Sequence, residues 1–389
     1  MPKDTMTSEQ RLQTVIELDV PDRVPVAPMI YHFAARYANI TMHDLWSDPA
    51  KYSFAIEKCF RELGPWDVYF PINPLNPSAY VFALPMKVKY PGVDLPPDGV
   101  FQFIEEELIT ADEYENLAGG GSRFGVLRYF AFMLTLACRI RDEPNASPML
   151  KMRIVTDLLR HLWSWRRELR NWKKRGVAVL HGILVEAPFD TLSMARGLVD
   201  FSYDLMEKPE QIRDAALALS EGYVRLSEYC ARLTGVPRVS CLCHRTSKDF
   251  MSPRHFREFA FPSLKKVVNE LVLRGVTPVL HCDGNWDPNL DQLHELPKGK
   301  VVLQLDGTTD IFRAKEVIGE HCCLFGDVPS TMLAFGGEQE VSDYCKKLIS
   351  VVGKNGGFIL AAGCEIPPNA RPENVKAMID AATQLGYYC

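Results

Sequence analysis

His281 and Cys364 are the two residues of this chain best suited to hold a metal ion. Each closes a short apolar run, Thr277-Pro278-Val279-Leu280-His281-Cys282-Asp283-Gly284 in one case and Gly357-Phe358-Ile359-Leu360-Ala361-Ala362-Gly363-Cys364-Glu365 in the other. Imidazole nitrogen and thiolate sulfur are good zinc ligands. Catalytic zinc sites collect them from distant segments and leave one coordination position open for substrate. Asp283 lies two residues beyond His281, so on extended backbone the two side chains share a side while Cys282 points away. Asp283 is therefore the expected third ligand; if the strand turns before it, Cys282 takes its place.

The elements that would position these residues are an alternation of short apolar runs with longer amphipathic segments, the pattern of a parallel sheet with crossover helices. Eight strands are expected: Val24 to Met29, Asp67 to Ile72, Val177 to Val185, Arg238 to Cys243, Thr277 to His281, Lys300 to Leu305, Cys322 to Phe325 and Gly357 to Ala362. Eight is the number that closes a (β/α)8 TIM barrel, whose chemistry sits at the C-terminal strand ends. Those ends carry Tyr31 and His32, Asn73, Glu186, His244, His281 and Asp283, Asp306, Asp327, and Cys364 with Glu365.

Pro85 to Leu108 interrupts the alternation as a hairpin, with turn signals at Pro91-Gly92 and Pro96-Pro97-Asp98-Gly99. Helices are expected after it at Ala111 to Leu117 and Pro148 to Arg175, so residues 74–176 read as an elaborated second βα connection. Two more are expected at Met251 to Leu273, capped by Ser252-Pro253, and at Glu338 to Val352, ending at Gly353. A short helical extension precedes the first strand. Neither an internal repeat nor a low-complexity linker divides the chain, and one decorated barrel over residues 1–389 is the economical organisation.

Several of these residues admit two readings. Glu186, followed by Ala187-Pro188-Phe189-Asp190, is a fourth ligand or a general acid, or else a neighbour of a helix cap or a solvated carboxylate. His244, in Cys243-His244-Arg245-Thr246-Ser247-Lys248-Asp249, serves substrate or takes part in ion pairs around its loop. Tyr31, Phe33, Tyr37, Trp66, Tyr69, Phe70 and Trp286 form an apolar pocket for a planar substrate, or belong in part to the core.

Composition excludes other classes. A formal charge of -5 gives no basic stripe for nucleic acid, and no run approaches the roughly 20 apolar residues that span a bilayer. Eleven scattered cysteines without a CxxC pair read as free thiols of a reducing compartment, and the expectation is a soluble, cytoplasmic protein. Gly119-Gly120-Gly121 lacks a Walker lysine pattern, and Gly-x-Ser-x-Gly does not occur.

Three stretches together resemble the uroporphyrinogen decarboxylase superfamily, specifically its corrinoid-dependent zinc methyltransferase branch. They are Glu186-Ala187-Pro188-Phe189 with Ala195-Arg196-Gly197, then Phe250-Met251-Ser252-Pro253 with Phe261-Pro262 and Val279-Leu280-His281, and finally Gly326-Asp327-Val328-Pro329 through Gly363-Cys364-Glu365-Ile366-Pro367-Pro368 to Pro372-Glu373-Asn374-Val375. The resemblance runs from about Thr5 onward and implies a (β/α)8 barrel. The decarboxylases carry an early Arg-Gln-Ala-Gly-Arg-Tyr motif and a later aspartate. Here Tyr31-His32-Phe33-Ala34-Ala35-Arg36-Tyr37 keeps one arginine, and Asn73 stands at the later position, which disfavours porphyrinogen decarboxylation. The zinc methyltransferases use His-x-Cys after one strand and a distant Gly-Cys. His281 and Cys364 match, while Asp283 replaces the motif cysteine.

The resemblance implies a zinc enzyme that moves a methyl group from an O-methyl substrate, an aryl methyl ether above all, to cobalamin carried by a separate corrinoid protein. Glu186 or Glu365 would tune the metal or move a proton; Tyr31, His32, Tyr69, Asn73 and Trp286 would contact substrate. The alternatives are methyl transfer from a corrinoid protein to a thiol and, in another class, a non-catalytic barrel that binds a tetrapyrrole or a corrinoid protein. The sequence leaves the oligomeric state open.

Overall fold

A computed structural model describes residues 4–72, 80–119 and 125–388. Ten strands are assigned among them: β1 (Val68–Tyr69), β2 (Lys87–Lys89), β3 (Gln102–Ile104), β4 (Ala178–Val179), β5 (Leu184–Glu186), β6 (Arg238–Cys243), β7 (Thr277–Cys282), β8 (Val302–Leu305), β9 (Cys323–Val328) and β10 (Phe358–Ala362). The fold is α/β and of the TIM-barrel class, with a helical N-terminal region and a hairpin in the second βα connection. The chain groups into two compact units, Met1–Pro74 with Arg167–His181 and Val279–Cys389, and Leu75–Arg166 with Gly182–Pro278.

In the first unit β7, β8, β9 and β10 run parallel, with His281 opposite Gln304 and Leu360 opposite Gly326. A second parallel pair joins Val68 to Ala178 and Tyr69 to Val179. Residues 24–29, expected as a full strand, form only the bridge from Val26 to Leu360. Pro25 and Pro28 have no N–H to donate, so a continuous ladder is chemically impossible there. The backbone still bonds both ways: Ala27 N–H donates to Leu360 O (2.9 Å), and the Asp67 and Val68 N–H groups donate to Val26 O (3.1 Å each).

The helix Ser8–Ile16 begins at a capping box in which the Thr7 hydroxyl accepts from Gln10 N–H and the Gln10 side chain accepts from Thr7 N–H. Its spacing brings Leu12, Val15 and Ile16 onto one face, and these join Met29, Phe70, Leu180, Val279, Val302, Phe325 and Ile359 in the core. Arg11, on the same helix, is buried with its charge paired. Its guanidinium donates to Asp22 (2.6 and 2.8 Å) and Asp67 (2.6 Å). Arg23 donates two bonds to Asp67 (2.7 and 2.8 Å), which also accepts Val26 N–H (2.9 Å). Burial pushes the Asp22 carboxyl up, yet the Arg11 guanidinium and the Thr5 and Met6 N–H groups outweigh it and hold Asp22 well below the ordinary carboxylate range.

In the second unit β2 and β3 pair antiparallel as the expected hairpin, and β5 and β6 pair parallel with Glu186 opposite Leu242. The single strand expected over Val177 to Val185 is two short ones, interrupted at residues 180–183. Within the interruption Gly182 packs so tightly that a Cβ there would lie 2.5 Å from the Thr234 hydroxyl. Helices Glu113–Ala118 and Pro148–Lys174 match expectation; Gly125–Arg139 adds one that was not expected. The latter packs on Pro209–Thr234, where a Cβ at Gly222 would lie 2.1 Å from that of Tyr129. Ser252 caps the segment after β6 as expected, its hydroxyl accepting from His255 N–H, but the helix passes through a π-helical turn at Phe256–Ala260 before Phe261–Leu273. Among the described residues ten cysteines are free, and no helix is long and apolar enough to cross a membrane.

Candidate metal centre and its surroundings

The first unit brings His281, Asp283 and Cys364 together. β7 ends at Cys282, and the Asp283 carboxylate oxygen Oδ1 lies 3.0 Å from His281 Nε2. Cys364, two residues after β10, places Sγ 4.0 Å from the same nitrogen. Cys282 is buried, its thiol donating to Leu280 O (3.7 Å).

Both loops are braced by Asp306. Its carboxylate accepts Gly284 N–H (2.8 Å), and its carbonyl backs Gly363, where a Cβ would lie 2.3 Å from the oxygen. Gly284 has φ +79°, a conformation that favours glycine, and it lets the chain turn directly after Asp283. Trp286 locks this turn: its indole N–H donates to Asp283 O (3.0 Å) and its backbone N–H to the Thr309 hydroxyl (2.9 Å). Expected on a substrate wall, Trp286 is fully buried and holds the loop instead.

Burial alone would push the His281 imidazole down, but the Asp283 carboxylate and the Cys364 sulfur outweigh it and hold its pKa well above the ordinary value. A site that attracts a proton so strongly also attracts a divalent cation in its place. Zinc bond lengths put two donors of one tetrahedral ion about 3.4 Å apart for N and O and about 3.6 Å for N and S. The observed N–O spacing of 3.0 Å is somewhat shorter and the N–S spacing of 4.0 Å somewhat longer than these, so the donor types suit zinc and a small shift of the Asp283 and Cys364 side chains would bring each pair to the required spacing.

Beside Cys364, Glu365 Oε1 accepts two bonds from His32, one from its backbone N–H and one at Nδ1, each 2.7 Å. Trp46 Nε1–H donates to His32 Nε2 (2.9 Å). Tyr31 is buried against the His32 ring with 4.3 Å between centroids. Tyr69 is buried as well, its hydroxyl 2.7 Å from that of Tyr52 and its ring stacked on Trp172. Asn73 lies outside the described residues.

The second unit pairs Glu186 with His244, Oε2 to Nδ1 at 2.8 Å. Glu186 is fully buried at the end of β5, which rules out the solvated-carboxylate reading. Asp190, one turn further on, accepts Arg245 N–H at Oδ1 (2.6 Å), while Oδ2 is buried with no hydrogen-bond partner among the described residues. Burial and the neighbouring Glu186 charge push the Asp190 carboxyl up to about 8, so it is largely a neutral acid at pH 7. Arg245 is anchored in turn by Ser193 O (3.1 Å) and the Glu105 carboxylate. Sequence reading passed over Trp46, Asp190 and Arg245. Asp190 and Arg245 stand in the runs that follow Glu186 and His244, Asp190 on the helix Pro188–Arg196, whereas Trp46 left no local signal.

The sequence profile of the uroporphyrinogen decarboxylase (URO-D) family matches residues 158–385, more than half of the chain. The chain belongs to that family. It is 29% identical over 133 residues to uroporphyrinogen decarboxylase of Dichelobacter nodosus and 27% identical over 133 residues to that of Hahella chejuensis. Each alignment covers 33% of this chain and 36% of the relative, so the match spans about a third of the curated proteins' length. Among solved structures, a methyltransferase from Methanosarcina mazei superposes with a TM-score of 0.68 at 18% identity, over 98% of this chain and 99% of that one, a likeness of fold.

Proposed function

We propose that this chain is a zinc-dependent methyltransferase that takes the methyl group of an O-methyl substrate, above all an aryl methyl ether, and delivers it to the cob(I)alamin of a separate corrinoid protein. The observation that supports it is the convergence of His281 Nε2, Asp283 Oδ1 and Cys364 Sγ at the ends of β7 and β10. Membership of the URO-D family and the fold likeness to a methyltransferase are consistent with this reading.

In this reaction the cobalt electron pair forms a Co–C bond to the methyl carbon, the C–O bond breaks, and its electrons leave on oxygen, which takes a proton to become the free phenol. When bound, zinc supplies a Lewis acid toward the charge that develops on the leaving oxygen. The chain's own residues prepare that event. His281, Asp283 and Cys364 would hold the metal, and the Trp286 bond to the Asp283 backbone carbonyl fixes the turn that carries the carboxylate. Glu365, next to Cys364, is the carboxylate of this unit that would move the proton. An aspartate in place of a motif thiolate leaves a harder metal, suited to oxygen more than to sulfur.

Porphyrinogen decarboxylation is disfavoured because the early segment keeps only Arg36 of two arginines, and its His32 is committed to Trp46 and Glu365. The deciding experiment incubates zinc-loaded protein with methoxylated phenols and a reduced corrinoid carrier protein. Methylcobalamin and free phenol are expected. Faster methylation of a thiol from methylcobalamin would instead establish the reverse direction, and the absence of both reactions in protein that binds no zinc would favour a scaffold.

A further inference from the structure

We infer that His32 is a positioning residue for the centre at the ends of β7 and β10: fixed as one tautomer by Trp46, it clamps a single oxygen of Glu365 and so holds the turn that carries Cys364. This role rests on the reading of that centre as the reaction site.

The argument follows from donor and acceptor chemistry. An indole N–H only donates, and Trp46 Nε1 lies 2.9 Å from His32 Nε2, so Nε2 accepts. A neutral imidazole has one accepting and one donating nitrogen, so the proton is on Nδ1, which donates to Glu365 Oε1 at 2.7 Å. A bond to a charged acceptor is among the stronger ones a protein makes. The His32 backbone N–H lands on the same oxygen at 2.7 Å. That group opens the helix His32–Ala38, where the Tyr31 side chain provides no cap, so Glu365 caps the helix from a distant part of the chain. Both bonds fall on Oε1, and among the described residues none is made to Oε2.

The clamp is rigid on each side. The His32 ring is 2% exposed and stacks on Trp46 with centroids 5.6 Å apart. On the other side Ile366 N–H donates to Met29 O (3.0 Å), so the residue between Cys364 and Ile366 is fixed by side chain and backbone alike. Glu365 is left with Oε2 as the oxygen available to act beside Cys364.

The test uses the full chain labelled with 15N-histidine, with the His32 signals assigned by their disappearance in His32→Asn. Long-range proton–nitrogen correlations should show Nδ1 in the protonated range and Nε2 in the unprotonated range. The opposite tautomer, or protons on both nitrogens, overturns the inference. Zinc affinity supplies a second readout. Asparagine keeps a donor near the Nδ1 position, whereas glutamine reaches only the Nε2 position. His32→Asn should therefore stay within about threefold of wild type, while His32→Gln and His32→Ala lose about tenfold, the lower range for groups that orient metal ligands. Equal losses in Asn and Gln variants would reduce His32 to packing and overturn the clamp. If the wild type binds no zinc, the functional reading fails and the nitrogen spectrum alone decides the clamp.

Discussion

The Asp283 carboxylate stands 3.0 Å from Nε2 of His281, so a loop residue and a strand residue two positions apart face one point. Strand β7 ends between them at Cys282, and the turn at Gly284 follows at once, which makes the pair a product of where the strand stops.

Metal content is the first consequence. Purified protein should carry about one zinc per chain by elemental analysis, and His281→Ala or Cys364→Ala should abolish stoichiometric binding. Asp283→Ala should weaken binding more than Cys282→Ala, because the Cys282 thiol is buried and bonded to Leu280 O. Full occupancy in the His281 and Cys364 variants would remove the basis of the centre.

Ligand hardness sets the second. Asp283→Cys restores a thiolate donor and should shift the ratio of thiol methylation to aryl-ether demethylation toward sulfur by about tenfold or more. Rates of methylcobalamin formation and consumption, measured side by side, give that ratio; an unchanged ratio would detach Asp283 from the choice of substrate.

Acid–base linkage at Asp190 gives a third. Its carboxyl is raised to about 8 in the folded protein, so between the ordinary carboxylate value and pH 8 the folded state binds a proton that the unfolded state has lost. Stability therefore falls as pH rises through that window. Asp190→Asn keeps the acceptor for Arg245 N–H and should flatten this dependence, gaining over wild type as pH approaches 8. Urea unfolding at pH 5 and pH 8 checks it, and an equal effect at both would mean that Asp190 does not titrate as described.

The buried guanidinium pair provides a fourth. Asp67→Ala leaves Arg11 and Arg23 short of three bonds in the interior and should cost about 3 kcal/mol or more in chemical denaturation. The exposed helix pair Lys376 and Asp380 should cost no more than about 0.5 kcal/mol when Asp380 is replaced by Ala. Comparable losses at the two places would show that the Asp67 network is far more hydrated than its burial implies.

Much of this arrangement was legible in the chain. Apolar runs ending at His281 and Cys364 located β7 and β10 because buried parallel strands write themselves as continuous hydrophobic stretches. The Pro-Gly and Asp-Gly signals located the hairpin for an equally local reason. Legibility failed where tertiary packing or missing donors decided the outcome. Pro25 and Pro28 reduced an apolar run to a single bridge, and close packing at Gly182 accompanied the break between β4 and β5. The partnership of Trp46, His32 and Glu365 depends on a meeting of chain segments 333 residues apart, which no local pattern encodes.

Asp306 carries a consequence for evolution. Its carboxylate holds Gly284, whereas the contact at Gly363 is made by its backbone carbonyl, which every residue type supplies, so a change of side chain at 306 releases the Asp283 loop and leaves position 363 closed to any side chain. Substitutions at positions 283 and 306 are thus epistatic, a replacement tolerated in one background being excluded in another, while position 363 stays glycine in all of them.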